Sequence, residues 1–93
     1  MYKILTTSRF DSIIKKKFQQ NPIEIRRIKE TIINLSENPF KECLNTHKLK
    51  GALCGFYACS CGYDCRIIFS IEKDKNNNNY LLLMDIGKHN DVY

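Results

Sequence analysis

The side chains in this chain that could do chemistry are two histidines, a strand arginine and a cluster of cysteines. His47 and His89 are the only histidines. Imidazole titrates near neutrality, so either one can give or take a proton at working pH. Arg66 stays charged at any working pH, and its planar fork can hold two oxyanion oxygens at once. Cys54, Cys59, Cys61 and Cys65 read C-x4-C-x-C-x3-C, which lacks the paired C-x-x-C knuckles of structural zinc sites. Alternation along a strand places Cys59 and Cys61 on one face, which leaves a metal or a local disulfide open. The odd total of five cysteines and the lack of an export signal favour reduced thiols instead.

The elements that must position these groups follow from periodicity. Residues 2–6 are β-branched and aromatic, a short first strand. Ser8 is the expected N-cap of a helix whose stripe is Phe10, Ile13, Ile14 and Phe18, with Lys15, Lys16 and Lys17 mostly off it. Asn21-Pro22 starts a second helix with Glu24 as capping-box partner; Ile25, Ile28, Ile32 and Leu35 form its core face, and Asn38-Pro39 ends it. So short a turn between them predicts an antiparallel helical hairpin.

The period then switches to two. Residues 55–61 alternate, with Phe56 and Ala58 on one face and Tyr57, Cys59 and Cys61 on the other. Gly62-Tyr63-Asp64 reads as a hairpin turn, and residues 66–72 as a strand with Ile67, Phe69 and Ile71 towards the core and Arg66 away from it. After an Asn-rich turn, the apolar run 80–86 suits a central strand. The fold class predicted is α+β, in the order β-α-α-β-β-β, with the helical hairpin packed on one face of a small, mostly antiparallel four-stranded sheet. The other face, expected to carry Tyr57, Cys59, Cys61 and Arg66, is left open for a ligand.

At 93 residues the chain is a single domain, 1–93, with 43% apolar and 27% charged residues, which excludes disordered and fibrous classes. No apolar run is long enough to span a bilayer, so no membrane partner and a cytoplasmic location are expected. Residues 1–50 hold eleven Lys/Arg against five Asp/Glu, and residues 51–93 four against five. The basic half suits nucleic acid or an acidic protein segment, or is a solvated helix face.

Three segments carry a family resemblance: His47-Lys48-Leu49-Lys50-Gly51, the strand from Arg66 to Phe69, and Ile86-Gly87-Lys88-His89-Asn90-Asp91-Val92-Tyr93. With Asn38-Pro39, this pattern resembles the RelE/ParE superfamily of type II toxin–antitoxin toxins, on its RelE and YafQ side. The resemblance implies a RelE-like fold and a ribosome-dependent endoribonuclease that cuts mRNA in the decoding site and so inhibits translation. It also implies a cognate antitoxin protein, with ribosome and mRNA as the other partners.

Cleavage by the RNA's own 2′-OH needs a base, an acid and a cation at the phosphorane, with no obligatory metal and no cofactor. The resemblance makes His89 the general acid and His47 the candidate base, against a structural histidine bonding a loop carbonyl. Arg66 becomes the phosphate clamp, against an ion pair with Asp64 or Asp85. Tyr93 stacks an mRNA base or packs on the sheet, and Asp64 orients a histidine, acts as a base, or is simply a turn residue. Lys48, Lys50, Tyr57 and Lys88 are the further RNA-binding candidates.

The chain departs from the family where Tyr57 and Cys59 stand at the strand positions of the two RelE lysines, and Ser60 at that of a second YafQ histidine. The base is therefore open among His47, Tyr57 and Asp64. Cys59 and Cys61 on the open face would make that face oxidation-sensitive. Two other function classes remain: a ParE-like gyrase-binding toxin without catalysis, and a degenerate toxin acting only as an antitoxin-binding partner.

Overall fold

A computed structural model describes residues 1–62 and 64–88. The chain starts with strand β1 (Lys3–Thr6) and helix α1 (Ser8–Ile13), which runs on as a π-helical turn over Ile14–Phe18; helix α2 (Pro22–Glu37) follows. Next come strands β2 (His47–Lys48), β3 (Tyr57–Ser60), β4 (Cys65–Lys73) and β5 (Asn79–Lys88). They form one five-stranded sheet in the order β1-β5-β4-β3-β2. β1 lies parallel to β5, and every other neighbouring pair is antiparallel.

The architecture matches the α+β expectation, with one strand more. The extra strand, β2, lies where a polar connection was expected, because His47 and Lys48 pair with Ala58 and Tyr57. Two residues leave too little periodicity to be read from sequence.

The helix starts obey local capping chemistry. Asn21 accepts the Glu24 N–H at 3.2 Å, and Pro22 occupies the first helical position, where a missing N–H costs nothing. The first helix is capped by Thr7, not Ser8: the Thr7 hydroxyl oxygen accepts the Phe10 N–H at 3.1 Å. Thr7 wins because its hydroxyl also reaches the Met84 carbonyl, 3.2 Å away, which joins the helix start to β5. In the π turn, Gln19 N–H donates to the Ile14 carbonyl at 2.9 Å, a five-residue step. That wider turn keeps Phe18 packed against the core.

The core lies between the helical hairpin and one sheet face. Phe10, Ile28 and Leu35 from the helices meet Cys59, Ile67, Phe69, Leu81, Leu83 and Ile86 from the strands. Ile25 and Ile32, expected in the core face of α2, are only half-buried, while Thr31 is buried there. The hydroxyl of Thr31 donates to the Arg27 carbonyl at 2.8 Å, which lets a polar residue occupy the interface.

The faces of β3 correct one expectation. Tyr57, Cys59 and Cys61 point to the helix side, not to the open face, and Cys59 and Cys61 are fully buried. The β3–β4 register decides this: Tyr57 opposes Phe69 and Cys59 opposes Ile67, and residues paired across a ladder share a face. The other face, open around Arg66, therefore carries His47, Ala58, Ile68 and Asp85 in one row, with Ala58 and Ile68 buried against Leu49 and Phe56, and Ser60, Arg66 and Gly87 in the next.

Candidate functional site

Arg66 lies on that open face, as its position in the strand predicted. It is half-buried and flanked by Ser60 on β3 and Gly87 on β5. Its guanidinium donates to the Cys65 carbonyl at 3.1 Å. Among the described residues it makes no ion pair, so neither Asp64 nor Asp85 neutralises it. Asp85 instead pairs with Arg9 at 3.4 Å and accepts the Ile86 N–H at 2.9 Å.

A groove of about 530 Å³ opens beside Arg66, lined also by Arg27, Asn34, Asn45 and Ser60. Two guanidiniums against the single carboxylate of Glu30, with two amides, leave the groove net positive and able to bind an anionic, hydrogen-bonding ligand. Arg27, Asn34 and Asn45 were missed as a set because they come from α2 and a distant loop, and no local motif links them. Arg27 is held near the groove by close contact with Gly62. A Cβ on Gly62 would come 3.1 Å from the Arg27 side chain, and the glycine φ of +80° disfavours any other residue.

His47 projects to the same face from the edge strand β2. The ladder puts it two strands across and two residues along from Arg66, about 10 Å by about 7 Å between backbones. Its Nδ1 lies 3.2 Å from the Asn45 carbonyl, the loop-carbonyl contact foreseen as the structural role. Asn45 adopts a left-handed φ of 50°, which turns that carbonyl towards the ring.

The other candidates separate. Asp64 and Lys88 line a different cavity of about 300 Å³, together with Glu24, Arg27, Cys61 and Cys65. Lys48 and Lys50 are exposed near the β2 edge. Tyr57 is not on the open face: its ring stacks on Phe69 at 5.6 Å and meets Phe40 edge-on at 5.6 Å. His89 and Tyr93 lie outside the described residues.

The thiols differ sharply. Burial pushes the Cys59 thiol up to about 12, so it stays protonated. Cys61 is held below the ordinary thiol range, first by a hydrogen bond from Cys65, whose own pKa is raised by that bond and by burial. Among the described residues no three His, Cys, Asp or Glu side chains cluster in a way that could hold a metal.

The sequence and the fold match a known family. The model of a YafQ bacterial toxin of type II toxin–antitoxin systems matches residues 2–93. This chain belongs to the YafQ family of type II toxins. No curated protein gives a significant sequence match. Among solved structures, a metal-bound toxin from Helicobacter pylori is 28% identical, with each chain covered to 100% and a TM-score of 0.77. The Escherichia coli DinJ–YafQ toxin–antitoxin complex is 15% identical over 99% of this chain and 97% of that one, with a TM-score of 0.76. A YoeB/ParE toxin from Agrobacterium tumefaciens is 17% identical over 94% of this chain and 98% of that one, at a TM-score of 0.76. The latter two are similar in fold alone. The family toxin described here has no helix, among the described residues, long and apolar enough to cross a membrane.

Proposed function

We propose that this YafQ-family toxin is a ribosome-dependent endoribonuclease that cuts mRNA in the decoding site and stops translation in the cytoplasm. The observation that carries this reading is Arg66, a half-buried guanidinium on the open sheet face with no carboxylate partner among the described residues. A cation kept in that state is suited to a phosphate, because an existing ion pair would have to be broken before an anion could bind.

The chemistry is attack of a 2′-OH on the adjacent phosphorus. Arg66 clamps the equatorial oxygens as negative charge develops on the phosphorane. His47 takes the 2′ proton: with Nδ1–H donated to the Asn45 carbonyl, the lone pair sits on Nε2, the form a base requires. His89, two residues after Gly87 in sequence, protonates the leaving 5′-oxygen, and Tyr93 stacks an mRNA base. Arg27, Lys48, Lys50 and Lys88 hold RNA phosphates and position the strand. Asp64, beside Lys88 in a separate cavity, is a turn residue in this reading. Tyr57 is assigned to packing.

A cognate antitoxin is the second partner, by analogy with the Escherichia coli toxin found in complex with DinJ. The basic surface and the open sheet face are available to such a protein in the silenced state.

Mapping mRNA 5′ ends on translating ribosomes tests the reading. Codon-positioned cuts with the wild type that vanish in His89→Ala and Arg66→Ala support it. Intact mRNA with arrested replication would point to gyrase, and the absence of any growth effect to a pure antitoxin-binding role.

A further inference from the structure

The five thiols divide by environment. Cys43 and Cys54 are exposed, whereas Cys59, Cys61 and Cys65 are buried. Cys61 and Cys65 face one another at the closed end of the β3–β4 hairpin, where Cys61 N–H donates to the Cys65 carbonyl at 2.8 Å. Hydrogen-bonded partners across antiparallel chains have Cα atoms about 5.5 Å apart, which is the commonest spacing of a disulfide. The two side chains already meet, since the Cys65 thiol hydrogen-bonds to the Cys61 sulfur. Both residues line the cavity of about 300 Å³ bordered by Phe18, Arg27, Asp64 and Lys88. Their exposures are 0% and 5%, so a large reagent is excluded while that cavity leaves space for a small one beside the sulfurs.

We propose that Cys61 and Cys65 form a redox dithiol that hydrogen peroxide converts to an intramolecular disulfide. The roles of the two sulfurs differ. Cys61 has the thiolate character, supported by the Cys65 thiol and the Arg27 charge, and is the attacking sulfur. Cys65 is the proton donor and then the resolving thiol. Cys59 takes no part: it opposes Ile67 across the ladder, and its thiol stays protonated in the core. Among the described residues no third ligand completes a metal set around the pair, which favours oxidation over metal capture.

The step balances. The Cys61 thiolate attacks one peroxide oxygen, forming an S–O bond as the O–O bond breaks. The departing hydroxide takes the Cys65 proton and leaves as water. The Cys65 thiolate then attacks the Cys61 sulfur, forming S–S and displacing hydroxide, which a solvent proton converts to a second water. Both sulfurs are oxidised by one electron each, and peroxide is reduced to two waters. The new bond closes the hairpin immediately before Arg66, and Cys65 is also the register partner of Lys88. The site is independent of the nuclease reading.

The test treats the full folded chain with hydrogen peroxide, then unfolds it in denaturant, alkylates all remaining thiols with iodoacetamide, and sequences the peptides by mass spectrometry before and after reduction. The expected result is a loss of about 2 Da, reversed by reductant, with the bond placed between Cys61 and Cys65. Cys65→Ser should instead accumulate a sulfenic acid on Cys61 that dimedone traps, while the double substitution Cys43→Ser and Cys54→Ser should leave the 2 Da loss unchanged. A bond involving Cys43, Cys54 or Cys59, or a Cys61 still alkylated after peroxide, overturns the proposal. Should Cys65→Ser not fold, the wild-type map alone decides.

Discussion

Asp85 engages Arg9, 3.4 Å away, and not Arg66, although both arginines border the same sheet face. The pair links the first helix to β5, and among the described residues the strand guanidinium has no ion pair. Arg9 is 69% exposed at its side chain, so the pair itself adds little stability. Arg9→Ala is expected to lower the unfolding free energy by less than about 1 kcal/mol, with the difference shrinking further in high salt. Urea unfolding at two salt concentrations measures both.

Arg66 is expected to matter for activity and not for folding. Arg66→Ala should reduce mRNA cleavage on translating ribosomes by about 10²–10³-fold, the usual effect of removing one charge-stabilising donor. Arg66→Lys should recover little of it, because an ammonium cannot hold two oxygens in a fork. Since its described hydrogen bond is to the Cys65 carbonyl, both variants should stay within about 0.5 kcal/mol of wild type in stability. A comparable loss of both activity and stability would make Arg66 a structural residue.

The Thr7 cap offers a choice between neighbours. Thr7→Ala removes the acceptor for Phe10 N–H and the tie to the Met84 carbonyl, at an expected cost of about 1–2 kcal/mol. Ser8→Ala, at the position favoured by sequence alone, should be nearly neutral. Thermal unfolding of the two variants side by side distinguishes them.

Phe69 is fully buried and stacked on Tyr57, so Phe69→Ala should cost about 3–5 kcal/mol. For a domain this small, that is a large share of the total stability. Loss of the cooperative unfolding transition near room temperature is the expected observation.

Cys59 predicts an alkaline effect of definite sign. Its folded pKa is raised from 9.0 to about 12, so the folded state holds the proton more tightly than the unfolded chain does. The contribution is complete below about pH 9 and is lost as pH rises towards about 12. Cys59→Ala removes it at all pH values, so the stability gap between wild type and variant should narrow above about pH 9. A gap that is flat from pH 8 to pH 11 in paired denaturant titrations would contradict this.

Much of the scaffold was legible in the chain because its signals are local. Asn21-Pro22 sets the start of α2, and the switch from helical to alternating periodicity separates the hairpin of helices from the strands. The exposed side of Arg66 followed from alternation with Ile67, Phe69 and Ile71 within one strand. Where the reading failed, the deciding partner was remote. Thr7 displaced Ser8 as cap because β5 supplies a carbonyl to the threonine hydroxyl, and β2 exists only because Ala58 and Tyr57 are there to pair with it.

The sequence by itself determined the element types, the family motifs and the chemical repertoire, which consists of two histidines, a strand arginine and five thiols. Only the tertiary structure decided which face of β3 meets the helices. Alternation sorts residues into two sets but cannot say which set is inside; pairing with Phe69 and Ile67 does. That choice buried Cys59 and Cys61, turned Tyr57 to the helix side, brought Arg27 to the groove beside Arg66, and placed Cys61 against Cys65. Each outcome depends on contacts between segments far apart in sequence, whose geometry is set by the packing of the whole core.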